Sequence, residues 1–267
     1  MPSAIRVMGI LNTTPDSFSD GGKFTNIDQA LEHVAQMIVD GADIIDIGGE
    51  STRPGAQAVS VDDEIARVIP IVQEIRKRFD IDISVDTSKA EVMREAISAG
   101  VSIINDVRAL REPGALDICK DSDVDICLMH MQGQPRTMQA LPIYESVVDD
   151  IYGFLREQIE VCTNAGIANS RLIIDPGFGF GKTLSHNLEL LAKLNRFKSL
   201  GVPMLVGISR KSMIGTLLND APVDQRSNGS LAANVIAAMN GASIIRTHDV
   251  KQTNEAMKIA IGVLEYV

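Results

Sequence analysis

Short apolar runs and longer amphipathic stretches alternate along the whole chain. The runs 5–11, 43–47, 83–87, 101–106, 125–130, 172–175, 204–211 and 243–248 are rich in Ile, Val, Leu and Met and predict buried strands. Between them, apolar residues recur at helical spacing. In 27–40 they are Ala30, Leu31, Val34, Met37 and Ile38, with Gly41 closing the segment; in 61–79 they are Ile65, Val68, Ile69, Val72 and Ile75. Further helices are predicted over 89–99, 113–120, 144–165, 184–197, 213–218, 229–239 and 250–266. Continuously apolar strands alternating with helices make a parallel sheet covered on both faces. Eight such units in 267 residues, near the ~250 residues typical of the closed form, predict an α/β fold: a (β/α)8 TIM barrel forming one domain over 1–267.

The stretch 172–182 shows what the strands deliver. Leu172, Ile173 and Ile174 lead into Asp175, then Pro176 and three glycines alternating with Phe178 and Phe180. Glycine lets backbone approach a ligand closely, so a rigid strand presents a carboxylate at the start of a flexible, aromatic-bearing loop. The plainer alternative for this segment alone is that Asp175 caps a turn. Gly181-Lys182-Thr183 mimics the end of a phosphate-binding P-loop, but Pro176 stands where that motif needs its first glycine. Glycines 177, 179 and 181 also miss the G-x-G-x-x-G spacing, so neither nucleotide motif is present.

The net charge of −10 argues against nucleic acid as a partner and leaves room for a small anion at a locally basic site. No apolar run approaches the ~20 residues of a membrane span, and the first residues read as a strand rather than a signal-peptide core. Cys119, Cys127 and Cys162 are odd in number and lack CxxC spacing. That fits reduced thiols in a cytoplasmic protein rather than disulfides or a zinc site.

In such a barrel all strands open on one rim at their C-terminal ends, where the active site sits. Those ends carry Asn12, Glu50 with Ser51, Thr52 and Arg53, then Asp86, Asn105, His130, Asp175, Lys211, and Arg246 with His248. The chemistry divides in two. Asp86, Asn105 and Asp175 follow apolar strands, where an unpaired carboxylate is costly. They call for a flat heterocycle with an amino-amide edge, which donates parallel N–H bonds worth roughly 1.5–3 kcal/mol each. Arg53, Arg246 and His248, with Asn12 and Thr52, suit a phosphate or diphosphate. Lys211 serves either group.

Seven motifs are met in unbroken order from Asn12 to Asp249: NTTPDSFSDGG (12–22), GESTRPG (49–55), DTSK (86–89), IND (104–106), DPGFGFGK (175–182), SRKS (209–212) and RTHD (246–249). Together they closely resemble the dihydropteroate synthases of bacterial folate synthesis. Thr13 and Thr247 depart from the family, which often has aliphatic residues there. The resemblance implies condensation of (7,8-dihydropterin-6-yl)methyl diphosphate with 4-aminobenzoate, giving 7,8-dihydropteroate and diphosphate. It implies that Asp86, Asn105, Met129, Asp175, Lys211 and Arg246 bind the pterin, with Asp86, Lys211 and Arg246 catalytic. Asn12, Thr52, Arg53, Arg246 and His248 would hold the diphosphate, and Asn12 would ligate Mg²⁺. Phe18, Thr52, Pro54, Phe180, Ser209 and Lys211 match the 4-aminobenzoate pocket, where sulfonamides compete.

The implied reaction is dissociative. Diphosphate leaves first, Asp86 faces the resulting pterin-stabilised cation, and the aniline nitrogen then attacks. No cysteine stands at a strand end to act as nucleophile. The loops with Phe18 and Arg53 would close and exclude water. The family also implies a homodimer packed through barrel helices away from the mouth. Cobalamin-linked methyltransferases share the pterin half, and a non-catalytic pterin-binding protein would share it too. Neither needs the complete 12–22 and 49–55 motifs or the anion-holding set. The loop at 132–139 has no assigned role.

Overall fold

The computed structural model describes residues 5–13, 23–51, 58–133, 138 and 142–266, with the backbone alone at 23–26. Its strands are β1 (Arg6–Asn12), β2 (Ile44–Gly48), β3 (Asp82–Asp86), β4 (Ile103–Asp106), β5 (Asp125–Met129), β6 (Leu172–Asp175), β7 (Leu205–Val206) and β8 (Ile244–Thr247). All pair in parallel in the order β6-β5-β4-β3-β2-β1-β8-β7. A single bridge between Ile174 and Met204, with the Ile174 amide donating to the Pro203 carbonyl at 3.0 Å, joins β6 to β7 and closes the ring. The (β/α)8 barrel expected from the apolar pattern is the observed fold.

The helices cover the outside: α1 (Lys23–Val39), α2 (Val61–Arg78), α3 (Ala90–Ser98), α4 (Ala115–Lys120), α5 (Val147–Asn164), α6 (Leu184–Ala192), α7 (Ser212–Leu217), α8 (Ser227–Met239) and α9 (Val250–Leu264). Their apolar stripes meet the outward faces of the strands in one large core. α2 shows why the local sequence is helical: Ser60 accepts from the Asp63 amide at its start. Asp62, Asp63 and Glu64 fill its first turn and Arg76, Lys77 and Arg78 its last, in the sense the helix dipole favours.

Two expectations change. The run 204–211 holds only two ladder residues, because Pro203 lacks an amide hydrogen and the chain turns after Ile208, whose carbonyl accepts from the Lys211 amide. The helix expected over 184–197 stops where Lys193 leaves helical geometry (φ −104°, ψ 17°), and a 3-10 helix, Leu194–Leu200, follows. Among the described residues, no helix is long and apolar enough to cross a membrane.

Candidate active site

Inside the barrel, Met8, Ile44, Ile103, Cys127, Ile173, Leu205 and Ile244 form a closed apolar layer. A strand returns to the same face every second residue. Two positions further on, those strands therefore present Ile10, Asp46, Asn105, Met129, Asp175, Gly207 and Arg246. β3 adds Ser84 and Asp86. Register aligns Gly48 with Asp86, Asp86 with Asn105, and Met129 with Asp175. The barrel thus carries a polar row directly above an apolar floor. Gly48 and Gly207 contribute no side chain to it: a Cβ would lie 3.8 Å from the Asp86 Cβ or 3.7 Å from Arg246, so both leave width for a flat ring.

Arg246 is the centre of this row. Its Nε donates to Asp46 Oδ2 at 2.6 Å and its Nη2 to Asp86 Oδ2 at 3.0 Å. Ser84 Oγ donates to the other Asp46 oxygen at 2.5 Å. Burial pushes Asp86 up to about 7, against the pull of Arg246 and with added repulsion from Asp46. Burial works against the Arg246 charge, but Asp46 and Asp86 more than offset it and fix the cation. Beside them Asn105 Oδ1 is buried and has no hydrogen-bond partner among the described residues. Such an orphaned acceptor costs about 1–3 kcal/mol unless a donor arrives.

The loop after β6 forms the opposite wall. Asp175 Oδ1 accepts from the Gly177 amide at 2.7 Å. Burial raises the Asp175 carboxyl, with Lys211 opposing. Lys211 Nζ donates to the Phe178 carbonyl at 2.5 Å and sits 4.6 Å above the Phe180 ring. Burial lowers Lys211 to about 8, although Asp175 favours its charge. Lys211 follows Arg210, whose φ of 58° is uncommon for a side chain of that size. Two Arg210 bonds to Asp249, at 2.6 and 3.2 Å, and its amide bond to Ser230 Oγ at 2.8 Å hold that turn.

Behind the loop, Lys182 is buried. Its Nζ donates to the carbonyls of Gly177 at 2.7 Å and Phe180 at 3.1 Å and faces His130 Nδ1 at 3.1 Å. Burial lowers Lys182 to about 7. Glycines 177, 179 and 181 all have positive φ. At Gly177 (φ 72°) a Cβ would lie 1.9 Å from the His130 carbonyl oxygen, so only glycine fits.

The structure brings Asp86, Asn105, Met129, Asp175, Lys211 and Arg246 to one mouth, with the partly buried Phe180 against it. Asn12 lies at the exposed end of β1, on the inward face by alternation from Met8 and Ile10. Ser209 and His248 meet: Ser209 Oγ lies 3.0 Å from His248 Nδ1 and accepts from the His248 amide at 3.2 Å. His130 is a correction. It follows the inward Met129, so alternation turns it outward, edge-on to Phe154 of α5 at 5.0 Å. Burial lowers it to about 2. Asp106 also turns away, accepting from Ser88 and from the amides of Arg108 and Leu110. Glu50 points to Lys89, which also binds the buried Glu64. Phe18, Thr52, Arg53 and Pro54 lie outside the described residues. The sequence reading missed Asp46 and Lys182; Asp46 was signalled by an acid standing within Ile-Ile-Asp-Ile.

The model of the family described as pterin binding enzyme matches residues 8–248. That span takes in almost the whole barrel and places the chain among barrel enzymes that bind a pterin. A dihydropteroate synthase of Escherichia coli K12 is 57% identical over 258 residues, covering 97% of this chain and 91% of that protein. The crystal structure of Yersinia pestis dihydropteroate synthase with a sulfonamide drug superposes with a TM-score of 0.93 at 55% identity, covering 98% of this chain and 95% of that one. The Xanthomonas albilineans dihydropteroate synthase with 4-aminobenzoic acid gives 0.92 at 49% identity, covering 97% and 93%. The chain belongs to the dihydropteroate synthase family.

Proposed function

We propose that the mouth condenses (7,8-dihydropterin-6-yl)methyl diphosphate with 4-aminobenzoate, yielding 7,8-dihydropteroate and diphosphate. The observation that carries this reading is the acceptor row of Asp86, Asn105 and Asp175 above an apolar floor, with the buried Asn105 Oδ1 still wanting a donor. The amino-amide edge of a pterin supplies N–H donors in one plane. Arg246 and Lys211 stand on the same ring of groups, Arg246 to lie over the heterocycle and Lys211 to hold its carbonyl side. Phe180, Ser209 and Lys211 would border 4-aminobenzoate, together with Phe18, Thr52 and Pro54. Sulfonamides would compete there.

Asn12 fits the implied Mg²⁺. It offers one neutral amide oxygen at the exposed end of β1, and Mg²⁺ bound with a substrate phosphate needs few protein ligands because it keeps several waters. When bound, the ion supplies positive charge that compensates the diphosphate. The chain's own groups do the rest. Arg246 and His248, with Thr52 and Arg53, would take up the negative charge that develops as the C–O bond to diphosphate breaks. Asp86 faces the methylene left electron-poor, and its carboxylate stabilises the cation. The aniline nitrogen of 4-aminobenzoate donates its electron pair to that carbon and then loses a proton. Closure of the loops bearing Phe18 and Arg53 would keep water from trapping the cation.

The assay is diphosphate release from the pterin diphosphate with Mg²⁺, run with and without 4-aminobenzoate. Release accelerated by 4-aminobenzoate, with dihydropteroate formed, is the expected result. Tight pterin binding without release in either case would refute it. A cytoplasmic homodimer completes the proposal. The buried, unpaired Cys119, Cys127 and Cys162 support a reducing compartment. Exposed apolar residues on the outer helices, among them Leu188 on α6, Leu217 on α7 and Ile236 and Met239 on α8, are compatible with self-association. Sedimentation of the purified chain at twice the mass of one chain is the expected result, and sedimentation at the mass of one chain would refute the dimer.

A further inference from the structure

Arg246 is asked to hold one plane while lying among buried groups, and nothing in its own strand does that. A free arginine side chain has several rotatable bonds and could turn toward any of Asp46, Asp86 and Asp175, which all bear on it. The structure instead divides it. Nε, the donor closest to the backbone, is taken by Asp46 Oδ2 at 2.6 Å, and only Nη2 reaches Asp86, at 3.0 Å. Asp46 lies on β2, is fully buried, and pairs in register with Ser84, two residues before Asp86 on β3. Its second oxygen is occupied by Ser84 Oγ from β3, at 2.5 Å, so the carboxylate itself cannot turn. Two neighbouring strands therefore clamp an arginine that comes from a third.

We infer that Asp46 is a positioning residue, anchoring Nε of Arg246 so that the guanidinium plane is set before substrate arrives. This rests on the reading of the mouth as the pterin diphosphate site. Holding Nε leaves the terminal Nη groups as the part of Arg246 that substrate can engage. A guanidinium fixed in advance loses less freedom when the ligand binds. The anchor also shares the cation, so Asp86 is only half paired by Arg246 and remains open to a second partner. The other charged groups bearing on Asp86 are Asp106 from β4 and Glu64 from α2, both acidic, and the basic Lys211 across the mouth.

The test is a double-mutant cycle on the full chain, read as kcat/KM for the pterin diphosphate. D46N keeps shape and removes the charge; R246M removes the partner. Turnover by the unaltered chain tests the function itself, so failure of that reading shows before any variant is made. If Asp46 acts through Arg246, D46N lowers kcat/KM by about tenfold in the native background and by less than about twofold in the R246M background. The same loss in both backgrounds would mean that Asp46 serves the fold alone, and no loss in the native background would mean that it serves neither; either overturns the inference. Should D46N fail to fold, S84A carries the test. It frees one Asp46 oxygen and lets the carboxylate swing, raising KM for the pterin diphosphate by about twofold or more in a chain that still unfolds cooperatively, with Tm lowered because that buried oxygen loses its donor; an unchanged KM would overturn the inference.

Discussion

Nζ of Lys182 lies 3.1 Å from Nδ1 of His130, and both residues are buried. Two bases facing each other cannot both carry charge, and burial acts on each to discharge it. His130 falls to about 2 from an ordinary 6.5, with Lys182 reinforcing the shift. Between those values the unfolded chain binds a proton that the folded chain refuses, so the contribution of His130 to stability falls as pH drops below 6.5. Lys182, lowered from 10.5 to about 7, acts in the same direction across that higher window. Asp86 and Asp175, both raised, act oppositely. The difference between the parent chain and H130Q isolates the histidine. Denaturant titrations from pH 7 to 5 should show the parent losing more stability than H130Q, by a slope approaching one proton.

The Gly177 backbone makes a second outcome sharp. Its φ of 72° and the 1.9 Å approach of a Cβ to the His130 carbonyl mean that G177A must move either the loop or β5's exit. A loss of about 3 kcal/mol or more is expected from strain and displacement together. Because Asp175 bonds the same amide, pterin affinity should fall with it. Urea unfolding alongside equilibrium pterin binding measures both.

Lys89 ties Glu50, at the root of the segment that continues to Thr52 and Arg53, to the buried Glu64 of α2. The carbonyl of Gly49 is held as well, by Arg67 at 3.1 Å. K89M would strand the Glu64 charge in the core, at a cost of about 3–5 kcal/mol. Adding E64Q should return part of that stability, because the stranded charge is gone. It should not restore the hold on Glu50, so KM for the pterin diphosphate should stay raised in the double variant. Unfolding curves and steady-state kinetics on the two variants separate these effects.

The mouth itself should titrate as a bell. On the proposed mechanism Asp86 must be ionised to accept N–H bonds and to face a cation; it protonates as pH falls through about 7. Lys211 must be charged to donate, and it loses that charge as pH rises through about 8. In the free enzyme these set the two limbs of kcat/KM. D86N should remove the acid limb and K211M the basic one, each lowering the plateau by about 10²-fold. A pH profile of kcat/KM on the three proteins checks this.

Most of the barrel was legible because a parallel strand buried on both faces writes itself as an unbroken apolar run, and because such strands end together. Asp86, Asn105, Asp175 and Arg246 were found by that rule alone. His130 was misplaced by the same rule: the last residue of a strand can face either way, and with Met129 turned inward its neighbour must face α5. Asp46 escaped notice because it stands inside a strand, where alternation, not position at an end, decides which way a side chain points. In the sequence Lys182 stands only as the lysine of the P-loop lookalike. Its partners are loop carbonyls, which converge only once glycines 177, 179 and 181 adopt left-handed backbone, and spacing cannot reveal that. The shortness of β7 was hidden because Gly207, Ile208 and Ser209 are as buried as ladder residues without pairing.

Seven of the eight seams between strands are laddered, and the eighth, between β6 and β7, is a single bridge. Mechanically this is a split ring. Backbone pairing is weakest at that one place, and the other seven seams hold without it. Asp175 ends one lip of the split, and the segment through Ser209 to Lys211 leaves the other. Lys211 Nζ already reaches over the gap to the Phe178 carbonyl, and a molecule held by Asp175 and Lys211 together, as proposed, would add a second clasp across it.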